Sequence, residues 1–215
     1  IQEAIEHQFK LIMIRPDHVA LAKEMIVKAH SKVTIGTVIS FPEGTNTLEE
    51  KLAEAQTAID NGADDLDFVC NYKAFIDGDL ETVKTEILQG TALGLQHNKI
   101  VKWIIEVAAL NEKQIIQICS LIKKIVISNF KEELYQNVYV KSSTGFYVTE
   151  NNLPNGATIP AIIMMLENAS PLSIKAAGGV RTYQEALEMI KLGVKRIGTS
   201  GALAIASGQD SDSNY

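Results

Sequence analysis

Cysteine, tryptophan and proline are scarce in this chain, with two, one and five residues among 215. Cys70 and Cys119 stand far apart in apolar stretches, with no CxxC spacing and no histidine at ligand distance, so neither a disulfide framework nor a zinc site is expected. Clustered positive charge is missing too. Lys and Arg number 20 against 26 Asp and Glu, a formal charge of -6. Neutralising a phosphate backbone or an anionic bilayer requires grouped Lys and Arg, so nucleic acid and membrane are excluded as partners and a small molecule is expected instead. The longest uncharged apolar stretch, Ala157 to Leu166, contains a proline and is too short to span a bilayer, and Ile1 opens no signal pattern. A cytoplasmic protein follows. His7, His18, His30 and His97 form no HExxH and lack a paired acid, which argues against a metal site and a histidine-centred triad.

What is present is alternation. Short Ile- and Val-rich runs alternate with longer segments whose apolar residues recur at helical spacing, the pattern of repeated βα units. Strands are predicted near Phe9 to Ile14, Val33 to Phe41, Asp65 to Cys70, Ile100 to Glu106, Val138 to Ser142, Leu172 to Ala176 and Val194 to Gly198. Thr47 with Glu50, and Thr182 with Glu185, have the spacing of helix-capping boxes. Gly62, Gly94 and Gly193 fall where helices should end. Near-continuous apolar strands imply a parallel sheet covered on both faces. The segment after Ile14 is Arg15-Pro-Asp-His18, without the GxGxxG of a doubly wound sheet, so a TIM (β/α)8 barrel is preferred. Residues 1–206 are expected to form a single barrel domain, with 207–215 a flexible polar tail. Apolar helix faces on a barrel exterior serve monomers and dimers alike, so a homodimer is one state open to the chain.

The most informative segment is Asn137-Val-Tyr-Val-Lys141-Ser-Ser-Thr-Gly145, in which an apolar strand delivers a lysine at its C-terminal end. The pattern recurs as Leu172-Ser-Ile-Lys175-Ala-Ala-Gly178-Gly179-Val-Arg181. On consecutive strands these lysines lie side by side, and two ammonium groups in a water-poor pocket lose charge more readily than one in solvent. A neutral lysine attacks carbonyls, so Schiff-base chemistry is the natural reading. Either lysine could instead reach solvent or pair with a carboxylate. Gly178-Gly179 before a helix and Gly198-Thr-Ser200-Gly201 after the last strand are places where barrels hold phosphate on backbone amides, and together with Arg181 they favour an anion, though either loop alone could be a plain turn. Asp67 shares a strand face with Asp65 and Val69, and burial of its carboxylate would require a facing lysine or a water. Lys102, the one cation inside Ile100 to Glu106, is the candidate partner. Both could also be solvated charges at a strand edge. Met164 and Met165 read as core.

Lys141-Ser-Ser-Thr-Gly145, Lys175-Ala-Ala-Gly-Gly-Val-Arg181, Gly62-Ala-Asp-Asp-Leu-Asp67 and Lys102-Trp-Ile-Ile-Glu106, in this order, closely resemble the deoxyribose-phosphate aldolase family from roughly Phe9 to the C-terminus. The resemblance implies a cofactor-free, metal-independent class I aldolase on a TIM barrel. Such an enzyme reversibly cleaves the sugar phosphate 2-deoxy-D-ribose 5-phosphate into D-glyceraldehyde 3-phosphate and acetaldehyde, in deoxyribonucleotide catabolism. By the same resemblance Lys141 forms the imine, Lys175 perturbs it and takes part in proton transfer, Asp67 relays protons through water, and Lys102 supports that acid. Gly145, Gly178, Gly179, Arg181, Gly198 and Ser200 match phosphate-site positions, and Tyr215 matches a terminal tyrosine that assists proton transfer in some members.

The chain departs from the family pattern in three places. Phe146 stands where some members have a basic residue, Glu106 is followed by Val-Ala-Ala rather than threonine and glycine, and the family's N-terminal strand is not supplied. At 215 residues the chain is also shorter than the roughly 250 a (β/α)8 barrel takes, so the sequence is expected to begin inside a barrel. Two other readings stay open: a Schiff-base or acyl-transfer barrel acting on a different sugar phosphate, and a non-catalytic sugar-phosphate-binding relative.

Overall fold

The computed structural model describes residues 1–150 and 153–208. Among them seven parallel strands pair in sequence order: β1 (Leu11–Ile14), β2 (Thr34–Ile39), β3 (Asp65–Val69), β4 (Ile100–Ile104), β5 (Val138–Lys141), β6 (Ser173–Ala177) and β7 (Arg196–Gly198). The helices are α1 (Gln2–Glu6), α2 (Val19–Lys28), α3 (Leu48–Asp60), α4 (Tyr72–Ile76), α5 (Leu80–Gln96), α6 (Glu112–Asn129), α7 (Ile159–Ala169), α8 (Tyr183–Leu192) and α9 (Ala202–Ala206). Every predicted strand is present, most of them shorter at one end or both.

Curvature of the sheet is visible in its cross-links. Strand spacings of about 4.8 Å would put β3 and β6 roughly 14 Å apart in a flat sheet. Instead Lys175 of β6 reaches Asp67 of β3 at 2.8 Å, and Arg196 of β7 lies 3.7 Å from Asp65 of β3. The strands therefore curl into a nearly closed barrel, with no pairing between β1 and β7 among the described residues.

Alternation along the strands separates two environments. Leu66, Phe68, Val101, Trp103, Val138, Val140, Ile174 and Ala176 belong to the main apolar cluster shared with the covering helices. Asp65, Asp67, Lys102, Lys141 and Lys175 take the opposite parity and are buried in the interior. Val69, Tyr72 and Ile104 form a separate small apolar cluster, with Phe41 and Tyr147 packed against it.

Several helices begin at a side-chain cap, whereas α1, α2 and α9 begin without one. Thr47 and Glu50 form a reciprocal capping box on α3, Thr182 and Glu185 another on α8, and Asn111 with Gln114 a third on α6 that was not anticipated. Gly193 ends α8 in the left-handed region, with φ of 107°, and Gly62 follows α3 at φ of 100°. Gly94 corrects its prediction. It lies inside α5, where a Cβ would come within 2.2 Å of Val101 Cγ2. One turn earlier, a Cβ on Gly90 would meet Trp103 Cζ2 at 2.9 Å. These two glycines share a helix face, and their missing side chains let α5 lie close against β4.

Candidate active site

Five buried ionic side chains meet inside the barrel. Lys141 and Lys175 are direct partners in the β5–β6 register, and both ammonium groups donate to the same oxygen, Asp67 Oδ2, at 3.0 and 2.8 Å. Lys102, the register partner of Asp67 on β4, donates to Asp67 Oδ1 at 2.7 Å and to Asp65 Oδ2 at 2.6 Å. Asp67 and Lys102 have no exposed surface, and Lys141 and Lys175 retain 4% each. Lys141, Lys175, Asp67 and Lys102 are thus brought together: Asp67 and Lys102 are buried and not solvated strand-edge charges, and Lys141 and Lys175 do not reach solvent but pair with a carboxylate. The strand ends are tied at the same level: the Ser142 hydroxyl donates to Ala177 O at 2.7 Å and accepts from Ala177 N at 2.9 Å. This link joins the residues that directly follow Lys141 and end β6.

Charge in this interior is unbalanced. Burial, the largest influence on Asp67, raises its pKa, yet Lys102, Lys175 and Lys141 together outweigh burial and hold the carboxyl well below the usual range. Lys175 moves the other way. Burial strips its ammonium of water and, although Asp67 opposes the effect, Lys141 and Lys102 add repulsion, bringing its pKa down to about 7. A neutral amine is therefore accessible near neutral pH within contact of the same carboxylate oxygen that holds Lys141.

Glu106, just beyond β4, is buried at a left-handed φ of 56°. Its Oε2 accepts from Thr144 N at 3.1 Å and from the Thr144 hydroxyl, while Thr144 Oγ1 accepts from Phe146 N at 3.0 Å. Burial raises its pKa against the opposing Thr144 hydrogen bonds. Its role was not read from the sequence, because the strand-end kink that turns it toward Thr144 has no local signature.

No family model matches the chain. A curated deoxyribose-phosphate aldolase of Thermococcus kodakarensis is 37% identical over 207 residues, spanning 96% of this chain and 85% of the relative. One from Exiguobacterium sibiricum is 38% identical over 215 residues, 100% of this chain and 89% of the relative. The chain belongs to the deoxyribose-phosphate aldolase family. Among solved structures, the aldolase QR15 superposes with a TM-score of 0.81 at 29% identity, covering 96% of this chain and 84% of its own. A tetrameric deoxyribose phosphate aldolase from Aeropyrum pernix gives 0.77 at 27% identity, covering 96% and 80%.

The remaining predicted positions of this aldolase fall in two places. Gly145, Gly178, Gly179 and Arg181 line a cavity of about 1020 Å³ together with Phe146 and Tyr147. Gly178 and Gly179 both have φ of 82°, and a Cβ on Gly156 would lie 2.2 Å from Gly178 O, so the two loops approach backbone to backbone. Gly198 and Ser200 are not among the residues lining that cavity. Gly198 sits against Lys175 instead, where a Cβ would come within 3.2 Å of its Cε. Tyr215 lies outside the described residues. Asp65 and Arg196 joined the ion cluster without being singled out as site residues beforehand, although each was visible as a charge on the inward parity of its strand.

Proposed function

We propose that this protein catalyses the reversible cleavage of 2-deoxy-D-ribose 5-phosphate to D-glyceraldehyde 3-phosphate and acetaldehyde through an imine on Lys141. The observation that carries the reading is the convergence of Lys141 and Lys175 on Asp67 Oδ2 inside a parallel barrel of this family.

In this reading the neutral Lys141 amine attacks the C1 aldehyde of the open-chain sugar. Asp67 and Lys175, through a water, move the protons that turn the carbinolamine into a protonated imine with loss of water. The iminium accepts the electron pair of the C2–C3 bond as the C3 hydroxyl gives up its proton, which releases the aldehyde of the three-carbon product and leaves an enamine. Protonation of the enamine carbon, with Tyr215 as the proposed assistant, and hydrolysis then free acetaldehyde and regenerate the lysine. Gly145, Gly178, Gly179 and Arg181 are the proposed phosphate contacts, with Gly198 and Ser200 on the adjoining strand end. Phosphate anchoring positions the reacting carbons, so an unphosphorylated sugar should lose rate as well as affinity. A cytoplasmic enzyme acting on a free sugar phosphate fits this reading, and so does a homo-oligomer such as a dimer.

Borohydride reduction in the presence of acetaldehyde tests it. The expected result is a two-carbon adduct at Lys141, with neither adduct nor cleavage in Lys141→Leu that stays folded by circular dichroism. Retained turnover in that variant would place the nucleophile elsewhere.

A further inference from the structure

The cluster extends beyond the residues that the imine chemistry uses. Asp65, 1% exposed, accepts from Lys102 at 2.6 Å and lies 3.7 Å from the Arg196 guanidinium, which is also 5.8 Å above the Tyr139 ring. A continuous series of ion pairs therefore crosses the interior: Arg196 to Asp65, Asp65 to Lys102, Lys102 to Asp67, and Asp67 to Lys141 and Lys175. Arg196 is in addition the direct register partner of Lys175 on the neighbouring strand.

Asp67 shares its two oxygens among three ammonium groups, Oδ1 with Lys102 and Oδ2 with Lys141 and Lys175. Asp65 takes up the other side of the Lys102 ammonium, and Arg196 in turn holds Asp65. Around Lys175 the interior presents Asp65 and Asp67 from β3, Lys102 from β4, Lys141 and the Tyr139 phenol from β5, and Arg196 from β7, with Glu106 beyond the end of β4. Strands β1 and β2 carry no charged residue.

We propose that Asp65 and Arg196 are positioning residues of this site, holding Lys102 in its bridge between the two aspartates and setting the charge that Lys175 and Lys141 experience. The proposal rests on the lysine-imine reading for its catalytic meaning, but the charge setting itself is measurable without turnover. Neutralising Asp65 leaves the three lysines to share Asp67, and neutralising Arg196 removes a cation from the register position next to Lys175. The two changes therefore act with opposite sign.

The test is a lysine ¹³Cε NMR titration, with the Lys175 resonance assigned by its absence in Lys175→Met. Asp65→Asn should lower the Lys175 midpoint by about 0.5 to 1 pH unit and Arg196→Met should raise it by a similar amount. The double variant should return toward the wild-type midpoint, and Arg196→Lys should keep it. If Asp65→Asn fails to fold, the direction in Arg196→Met decides alone. Shifts of the same sign, or no shift in the folded Arg196→Met protein, would overturn the proposal. Acetaldehyde trapping on the same samples keeps the two ideas apart: a wild-type protein that forms no adduct but shows opposed shifts removes the aldolase reading and leaves the charge setting standing.

Discussion

Lys175 is the residue whose environment has the most direct kinetic consequence. Its pKa of about 7 makes the neutral form available in the range where an ordinary lysine is fully charged. Trapping of acetaldehyde should accordingly accelerate as the pH rises through about 7, because Lys175 beside the nucleophile gives up its proton over that interval, and the inflection should disappear in Lys175→Met. A stopped trapping series between acid and alkaline buffers reads this directly; an unchanged inflection in the variant would assign it to another group. Lys141, Lys175 and Lys102 were legible because each is a lone cation in an apolar strand, a placement that costs too much without a function or a partner. The run Asp64-Asp65-Leu66-Asp67 was harder to read. Asp64 turns away to accept from Ile35 N at 2.9 Å, whereas Asp65 enters the interior, and composition alone does not distinguish the two.

At the scale of elements, local chemistry predicted helix starts better than helix ends. Thr47 and Thr182 cap because hydroxyl and carboxylate lie three residues apart along the chain, and no distant contact is needed. The same local reasoning makes Gly94 a terminator, but what makes glycine necessary there is Val101, on the strand against which α5 packs. Gly94→Ala should destabilise the fold by about 1–3 kcal/mol, measured as a lower urea midpoint at unchanged slope. A neutral result would mean that α5 shifts outward to admit the methyl. A second tertiary device holds the strand that carries Asp67. Lys51 of α3 donates to Val69 O at 3.0 Å and pairs with Glu86 of α5 at 2.5 Å, and Glu86 accepts from Asn71 N at 2.6 Å. This buried pair ties two helices to the end of β3 and was not foreseen, since its members are separated in sequence and look like ordinary helix charges.

For the whole molecule, the interior charges link folding to pH. Lys175 binds its proton more weakly in the folded state, at about 7, than the ordinary 10.5 of an unfolded chain. Between those values the unfolded state holds more protons, so this group's contribution to stability increases with pH; its full cost is present below about 7 and fades toward 10.5. Urea denaturation across that window should show wild type gaining on Lys175→Met by up to about 1.4 kcal/mol per pH unit. A difference that stays flat or falls with rising pH would contradict the assignment. Asp67 changes stability in the same sense with pH, but far lower on the scale: its depressed pKa contributes stability that is present above the ordinary carboxylate value and lost as the solution is acidified past it.

The sequence by itself determined the alternation of strands and helices, their order, the inward parity of Asp67, Lys102, Lys141 and Lys175, and the family, because these depend on residue type and spacing along the chain. Only the tertiary structure decided which charges meet. Asp67 and Lys175 lie on strands separated by two others, and it is the curling of the sheet that carries both lysines onto one carboxylate oxygen and brings Arg196 across to Asp65. Proximity of that kind arises from closure and burial, and neither has a local signature in the chain.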